Sequence, residues 1–359
     1  MQENLEQDLQ LDDELSYNAD SVIPPSDIVA FTEQRSCADI YRMYEKKQLD
    51  ISPDFQRGDV WGSKAQTLFI DSLIKQLPIP SMCISLDATT QKRLVIDGRQ
   101  RITSIIKFLS PDKSWKLTET TDVDERISGK TVADIFENTP ELYDRLENVT
   151  IPVTVLRCDY SKQNHMQYLF QIFHRLNSGG LKLYNQEIRN CIYQGSFNTL
   201  LKKLAVGESW CRFADTNKEK VEKARLGNEE RILRFFAFSA NYENYKGRMT
   251  SFLNDYMSSY RNASEAQIVQ FNELFDKTLS IANKLEQKPN SKNISDAVLV
   301  GISKNVDVLK EKSESYLSEK YKKLMEHSAF SSEERKEGLA RTEKVKDRIQ
   351  VAIQIFGND

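Results

Sequence analysis

The sequence predicts an α+β protein, with a sheet-bearing N-terminal half followed by an all-helical C-terminal half. Two observations carry that prediction. The short β-branched runs, at 82–86, 93–96 and 151–158, all fall before residue 160. From Glu219 onward one amphipathic helix pattern follows another, as in Ile268, Phe271, Leu274, Phe275 and Leu279, or Val345, Ile349, Ala352 and Ile353. Composition agrees: 39% hydrophobic and 29% charged, with only 13 Gly and 9 Pro in 359 residues, excludes collagenous and wholly disordered classes. No fixed repeat marks a solenoid. No apolar run approaches the roughly 18 residues of a membrane span. The N-terminus is acidic and polar, unlike a secretory signal, so the cytoplasm is the expected location.

Taken in order, 1–26 reads as an acidic flexible arm that ends in Ile23, Pro24, Pro25 and Ser26. A short helix is expected over 38–47. Pro53 and Gly58 then imply an irregular loop up to Trp61. A helix over 64–76 puts Phe69, Ile70, Leu73 and Ile74 on one face, and Pro78 and Pro80 stop it. Strands at 82–86 and 93–96 flank a polar turn. The second runs into Asp97, Gly98, Arg99, Gln100 and Arg101, and then a helix carries Ile102, Ile105, Ile106 and Leu109 at i, i+3, i+4 and i+7. Residues 111–150 read as a polar excursion with one helix near 132–137, before a strand at 151–158. Helices over 162–176 and 185–205 surround a glycine-bearing loop. The expected domains are the arm 1–26, a nucleotide-binding domain 27–160 and a helical domain 161–359.

Charge is unevenly distributed. All nine ionisable side chains in residues 1–34 are acidic, which leaves the remaining body at +6 although the chain totals -3. Such a body can hold polyphosphate or nucleic acid without being a polycation, and the arm either aids solubility or covers a basic groove. Five widely spaced cysteines contain no CxxC pair, so neither a zinc knuckle nor a disulfide framework is indicated. His165, His174 and His327 are too scattered for a His-rich metal centre.

Three segments hold chemistry. At 94–103 a buried strand delivers Asp97 to its end, Gly98 permits a tight turn, and a helix opens with its N–H groups outward, an arrangement suited to anions. Arg99 and Arg101 add fork-shaped donors for phosphate oxygens. Gln100 can orient a water or read a base or sugar edge. Asp97 can hold a divalent cation, take a proton from water, or simply cap the helix. The second segment, 53–61, combines Phe55, Gln56, Arg57 and Trp61. Its aromatics read first as core plugs and second as stacking platforms. The third runs from Phe173 through Asn177, Gly179 and Gly180 to Gln186, Glu187, Arg189 and Asn190; it is either an interhelical turn or a loop whose amides approach a ligand.

In that order and spacing the segments resemble the N-terminal domain of GmrSD-type restriction endonucleases, a family of phage-defence proteins. The resemblance runs from about Ser52 to Asn190. It implies a ParB/sulfiredoxin-like fold and binding or hydrolysis of a nucleoside triphosphate, with Mg²⁺ as the expected ion. Carried over, Asp97, Gly98, Gln100 and Arg101 match the family's box and Gln56 and Arg57 its earlier loop; the expected catalytic residues are Asp97, Gln100 and Arg101, and the expected nucleotide-binding residues are Gln56, Arg57, Gly98, Arg99, Thr103 and Asn177. Arg99 stands where the family commonly has glutamine, a change that either strengthens phosphate binding or displaces a metal. Many relatives add a nuclease domain with a His–Asn–His set, whereas His327 here has no such companions, so nuclease activity in this chain alone is not expected. The expected partners are a nucleotide, DNA, and a separate nuclease or other defence protein. The alternative reading is a non-catalytic DNA-binding or protein-binding adaptor that retains the fold.

Overall fold

The computed structural model describes residues 24–51, 61–177, 183–223, 227–331 and 341–358. They divide into two compact units, Val22–Leu183 and one that holds Tyr184–Asp359. The protein is α+β, as expected: every described strand lies at or before Cys158, and the described elements of the helical unit are all helices.

The first unit is built on β1 (Val29–Ser36), α1 (Cys37–Glu45), β2 (Leu49–Asp50), α2 (Ser63–Ile74), β3 (Met82–Asp87), β4 (Arg93–Asp97), α3 (Arg99–Leu109), α4 (Val132–Asn138), α5 (Pro140–Asn148), β5 (Thr150–Cys158) and α6 (Gln163–Leu176). The sheet order is β1-β5-β3-β4-β2. β1 runs antiparallel to β5, β5 parallel to β3, β3 antiparallel to β4, and β4 parallel to β2. Met82, Ile84, Val95, Val153 and Val155 share a core with α1, α2, α3 and α5. Leu94, Ile96, Leu156 and Cys158 are buried on the alternate positions, and α6 packs against β4 and β5. With both faces covered, β4 reads as the unbroken apolar run Leu94, Val95, Ile96.

Three elements depart from the sequence expectation. β1 was not expected, because it is an edge strand with no buried position and so shows no alternation. The excursion 111–150 holds a second helix, α5, which Pro140 opens at a position where its missing N–H costs nothing. The stretch 185–205 is two helices, α7 (Asn185–Ile192) and α8 (Ser196–Ala205), parted at Gly195.

At the edge of this unit, Asp159 N–H donates to His165 Nδ1 at 3.0 Å, so Nε2 carries the proton and donates to Asp27 Oδ1 at 2.8 Å. Lys162 also donates to Asp27. The Lys162 ammonium first and His165 second hold the Asp27 carboxyl at about 2, below its ordinary 3.8. A depressed carboxyl stabilises the fold above its unfolded value, and that contribution disappears as pH falls from 3.8 through about 2. Asp27→Asn should therefore flatten the pH dependence of the urea midpoint in this window and leave its slope near neutrality unchanged. An unchanged acid limb would show that the pair forms no such link.

The second unit continues with α9 (Glu208–Phe213), α10 (Lys218–Lys223), α11 (Gly227–Asn241), α12 (Met249–Tyr260), α13 (Glu265–Ala282), α14 (Lys292–Lys304), α15 (Val306–Leu309), α16 (Glu314–Glu326) and α17 (Thr342–Gly357). α11 packs against α8, α12 and α14, and α14 against α17. This core is ionic as well as apolar. Arg189 of α7, 1% exposed, donates to Asn254 at 2.9 Å, Gln186 at 3.1 Å and Glu230 at 3.1 Å. Asn190 donates to Glu229, and Arg234 binds Asp296 at 2.6 Å. Lys292 lies 3.7 Å from Glu230. The polar run after Asn177 is thus the joint of α7, α11, α12 and α14, with all of Asn185–Ile192 buried.

Candidate functional site

The Asp-Gly box sits where the sheet ends and α3 begins. β4 ends at Asp97, and Gly98 turns the chain with φ 95° and ψ 12°, in the left-handed region that favours glycine. A Cβ at Gly98 would lie 2.6 Å from Met82 Cγ, so close approach also demands glycine there. No side chain caps the α3 N-terminus, and its first turn holds no acid. The capping role open to Asp97 is therefore not the one it plays. Instead Asp97 Oδ2 accepts from Arg101 Nη2 at 2.8 Å.

Arg101 does more than pair with Asp97. Its Nη1 donates to the Pro80 carbonyl, and Nη2 reaches the Ser81 carbonyl at 3.4 Å. Its side chain is 13% exposed, against 41% for Asp97. Burial outweighs the Asp97 carboxylate and lowers the guanidinium pKa. Arg101 therefore ties the first turn of α3 to the 77–81 turn, because β3 runs antiparallel to β4 and sets Cys83 opposite Asp97.

Gln100 Oε1 accepts the Trp61 backbone N–H at 3.3 Å. The Trp61 ring stands edge-on to Phe69 at 5.7 Å, the core-plug role. Asn177, just past α6, donates to Phe173 O at 2.8 Å and to Ile96 O at 3.4 Å, one residue before Asp97. Arg99 and Thr103 are half-buried one helical turn apart on α3. Gln56, Arg57 and Phe55 lie outside the described residues, as do Gly179 and Gly180. The described residues at the ends of the second segment do reach the box: Asp50 pairs with Leu94, and Trp61 meets Gln100.

The structure thus gathers Asp97, Gly98, Arg99, Gln100, Arg101, Thr103 and Asn177 around one strand end. The acceptors on Pro80 and Ser81 were missed by sequence reasoning, since backbone carbonyls carry no residue signature. Other chemistry is thin nearby. Among the described residues no three His, Cys, Asp or Glu group as a metal site. All five cysteines are buried and free, and burial pushes the thiols of Cys37, Cys83 and Cys158 up to about 12, away from thiolate chemistry. His327 accepts the Ala329 N–H through Nδ1, as a cap. No helix among the described residues is long and apolar enough to cross a membrane.

One family model, the N-terminal domain of the GmrSD restriction endonuclease, matches residues 38–194. No curated protein and no solved structure matches the chain. The matched span contains the box, Asn177 and the buried polar run of α7.

Proposed function

We propose that this chain, whose residues 38–194 match the N-terminal domain model of the GmrSD restriction endonuclease, is a nucleotide-responsive component of a restriction or phage-defence system. The observation that carries the reading is the uncapped, acid-free N-terminus of α3, set by a left-handed Gly98 beside Asp97. Such a terminus offers backbone donors and a positive dipole end to phosphate oxygens. Arg99, in the first turn, adds a fork-shaped donor to the same anion. The Asp97–Arg101 pair, anchored on Pro80 and Ser81, holds the wall of the site rigid. Gln100 and Asn177 supply amides that orient the nucleotide or a water. Gln56 and Arg57 are assigned to the nucleotide by the family resemblance alone, and the described neighbours of their segment, Asp50 and Trp61, meet Leu94 and Gln100.

Mg²⁺ enters such sites through one or two carboxylates plus substrate phosphates. A single half-exposed carboxylate, Asp97, fits that mode. The ion would neutralise charge on the transferring phosphoryl group. Everything else at the site is positioning: donors at fixed places around developing charge, with no nucleophile from the chain. Turnover would then bias the helical unit or a separate nuclease, with DNA as the target.

Isothermal titration with each of the four NTPs and Mg²⁺ tests the reading. Arg99→Ala should weaken triphosphate binding by about tenfold to a hundredfold, the range of a charge-assisted hydrogen bond of about 1.5–3 kcal/mol. Arg101→Ala should lower both affinity and the unfolding midpoint, because it also frees the 77–81 turn. If no NTP binds the wild-type chain, the adaptor reading replaces this one.

A further inference from the structure

A cleft of about 870 Å³ opens in the helical unit along α12, remote in sequence from the box and outside the span of the family model. Its floor is one face of α12, where Phe252, Tyr256 and Tyr260 recur at i, i+4 and i+8. One end is walled by exposed Lys246 and Arg248, which lead into α12. Asn241 and Asn244, after α11, and Asp255 of α12 also line it.

The rings are held in place. Phe252 meets Tyr245 at 5.3 Å and 80°, and Phe238 at 5.1 Å. Tyr260 meets Phe271 at 5.1 Å and 88°, and Tyr256 at 4.8 Å. A platform braced this way loses little entropy when a flat ligand lies on it. The α12 N-terminus has no side-chain cap hydrogen bond and no acid in its first turn, so the cation end also presents the positive end of the helix dipole. From Arg248 to Phe252 the axial rise is roughly 6 Å, which places an anion and a flat ring next to each other.

We propose that this cleft binds a nucleotide unit, with its phosphate at Lys246, Arg248 and the α12 N-terminus and its base against Phe252, while Tyr260, further along the same face, takes a neighbouring base. The mixture of features selects that class. A neutral sugar leaves the two cations unused, and an acidic peptide leaves the three rings unused. Asp255 accepts from an exocyclic base amine, and the two asparagine amides serve either donors or acceptors, so adenine is the suited probe. Stacking on aromatic side chains tolerates any base, while the cations track the backbone. The site is independent of the box and draws on none of its residues.

The test uses the full chain and a short fluorescein-labelled oligo(dA), read by fluorescence anisotropy at moderate salt. The wild-type protein should bind. Lys246→Glu and Tyr260→Ala should each weaken binding at least tenfold, an order taken from the range for one stacked base or one charge-assisted contact. Tyr260→Ala disturbs an aromatic cluster, so Lys246→Glu, at an exposed position, is the variant that decides. Lys322→Glu, whose side chain is 78% exposed on α16, is the charge-matched control and should leave binding unchanged. Competition by free dAMP assigns a free nucleotide; its absence assigns a nucleotide within a strand. No oligo(dA) or dAMP binding by the wild-type chain overturns the site. So does a Lys322→Glu loss as large as that of Lys246→Glu, which would mean diffuse attraction to the surface.

Discussion

Glu230→Ala is expected to destabilise the helical unit by about 3–5 kcal/mol, the range for breaking a buried ion pair from one side. Glu230 is 6% exposed and faces Arg189 at 3.1 Å and Lys292 at 3.7 Å. Burial alone would raise its pKa. The attraction of Lys292, Arg189 and Arg234 overrides burial and lowers the pKa below the ordinary 4.5. The folded pKa lies below the unfolded one. The stabilisation is therefore complete above the unfolded value of 4.5 and is lost as pH falls through the folded value. Urea unfolding followed by far-ultraviolet circular dichroism should show the large loss for Glu230→Ala near neutral pH. It should also show a shallower acid dependence than the wild-type chain. Glu230→Gln keeps an acceptor for Arg189 and should lose less. A loss below about 1 kcal/mol would mean that water reaches the cluster and screens it as at a surface.

That cluster was only half legible in the sequence. Gln186, Glu187, Arg189 and Asn190 stand out in the sequence as a polar run that a turn does not explain, beside a loop able to approach a ligand. The partners of Arg189 and Asn190 come from far along the chain: Glu229 and Glu230 from α11, Asn254 from α12. No periodicity in one segment can reveal that its polar face is satisfied by another, so a buried network and a binding motif look alike until the fold is known.

The Asp-Gly box was more legible, because its signals are local. A buried strand, a glycine and an amphipathic helix in succession fix where Asp97 and the α3 N-terminus stand. Arg101 is the residue whose role needed the fold. In sequence it is one more cation for phosphate, while in the structure its donors are engaged by Asp97, Pro80 and Ser81. The antiparallel pairing of β3 with β4 brings the 77–81 turn there, and register between distant strands is not written in either strand alone. β1 escaped for the opposite reason: an edge strand with both sides wet has no buried alternation to read.

Gly98→Ala is the sharpest test of the box as a built feature. Alanine at φ 95° pays roughly 1–2 kcal/mol for left-handed backbone. Its Cβ would also fall 2.6 Å from Cγ and 3.0 Å from Cβ of Met82, a residue 1% exposed with no room to retreat. Overpacking of that kind adds roughly 1–3 kcal/mol. The expected loss is about 2–5 kcal/mol in urea unfolding, with affinity for triphosphate falling alongside because the first turn of α3 is re-aimed. A double-mutant cycle with Met82→Ala separates the two costs. Removing the Met82 side chain relieves the clash but not the backbone strain, so the double variant should lose less than the two single losses combined. Strict additivity would place the whole cost in the backbone, and a loss below about 1 kcal/mol from Gly98→Ala alone would show that the turn relaxes to an ordinary helix start.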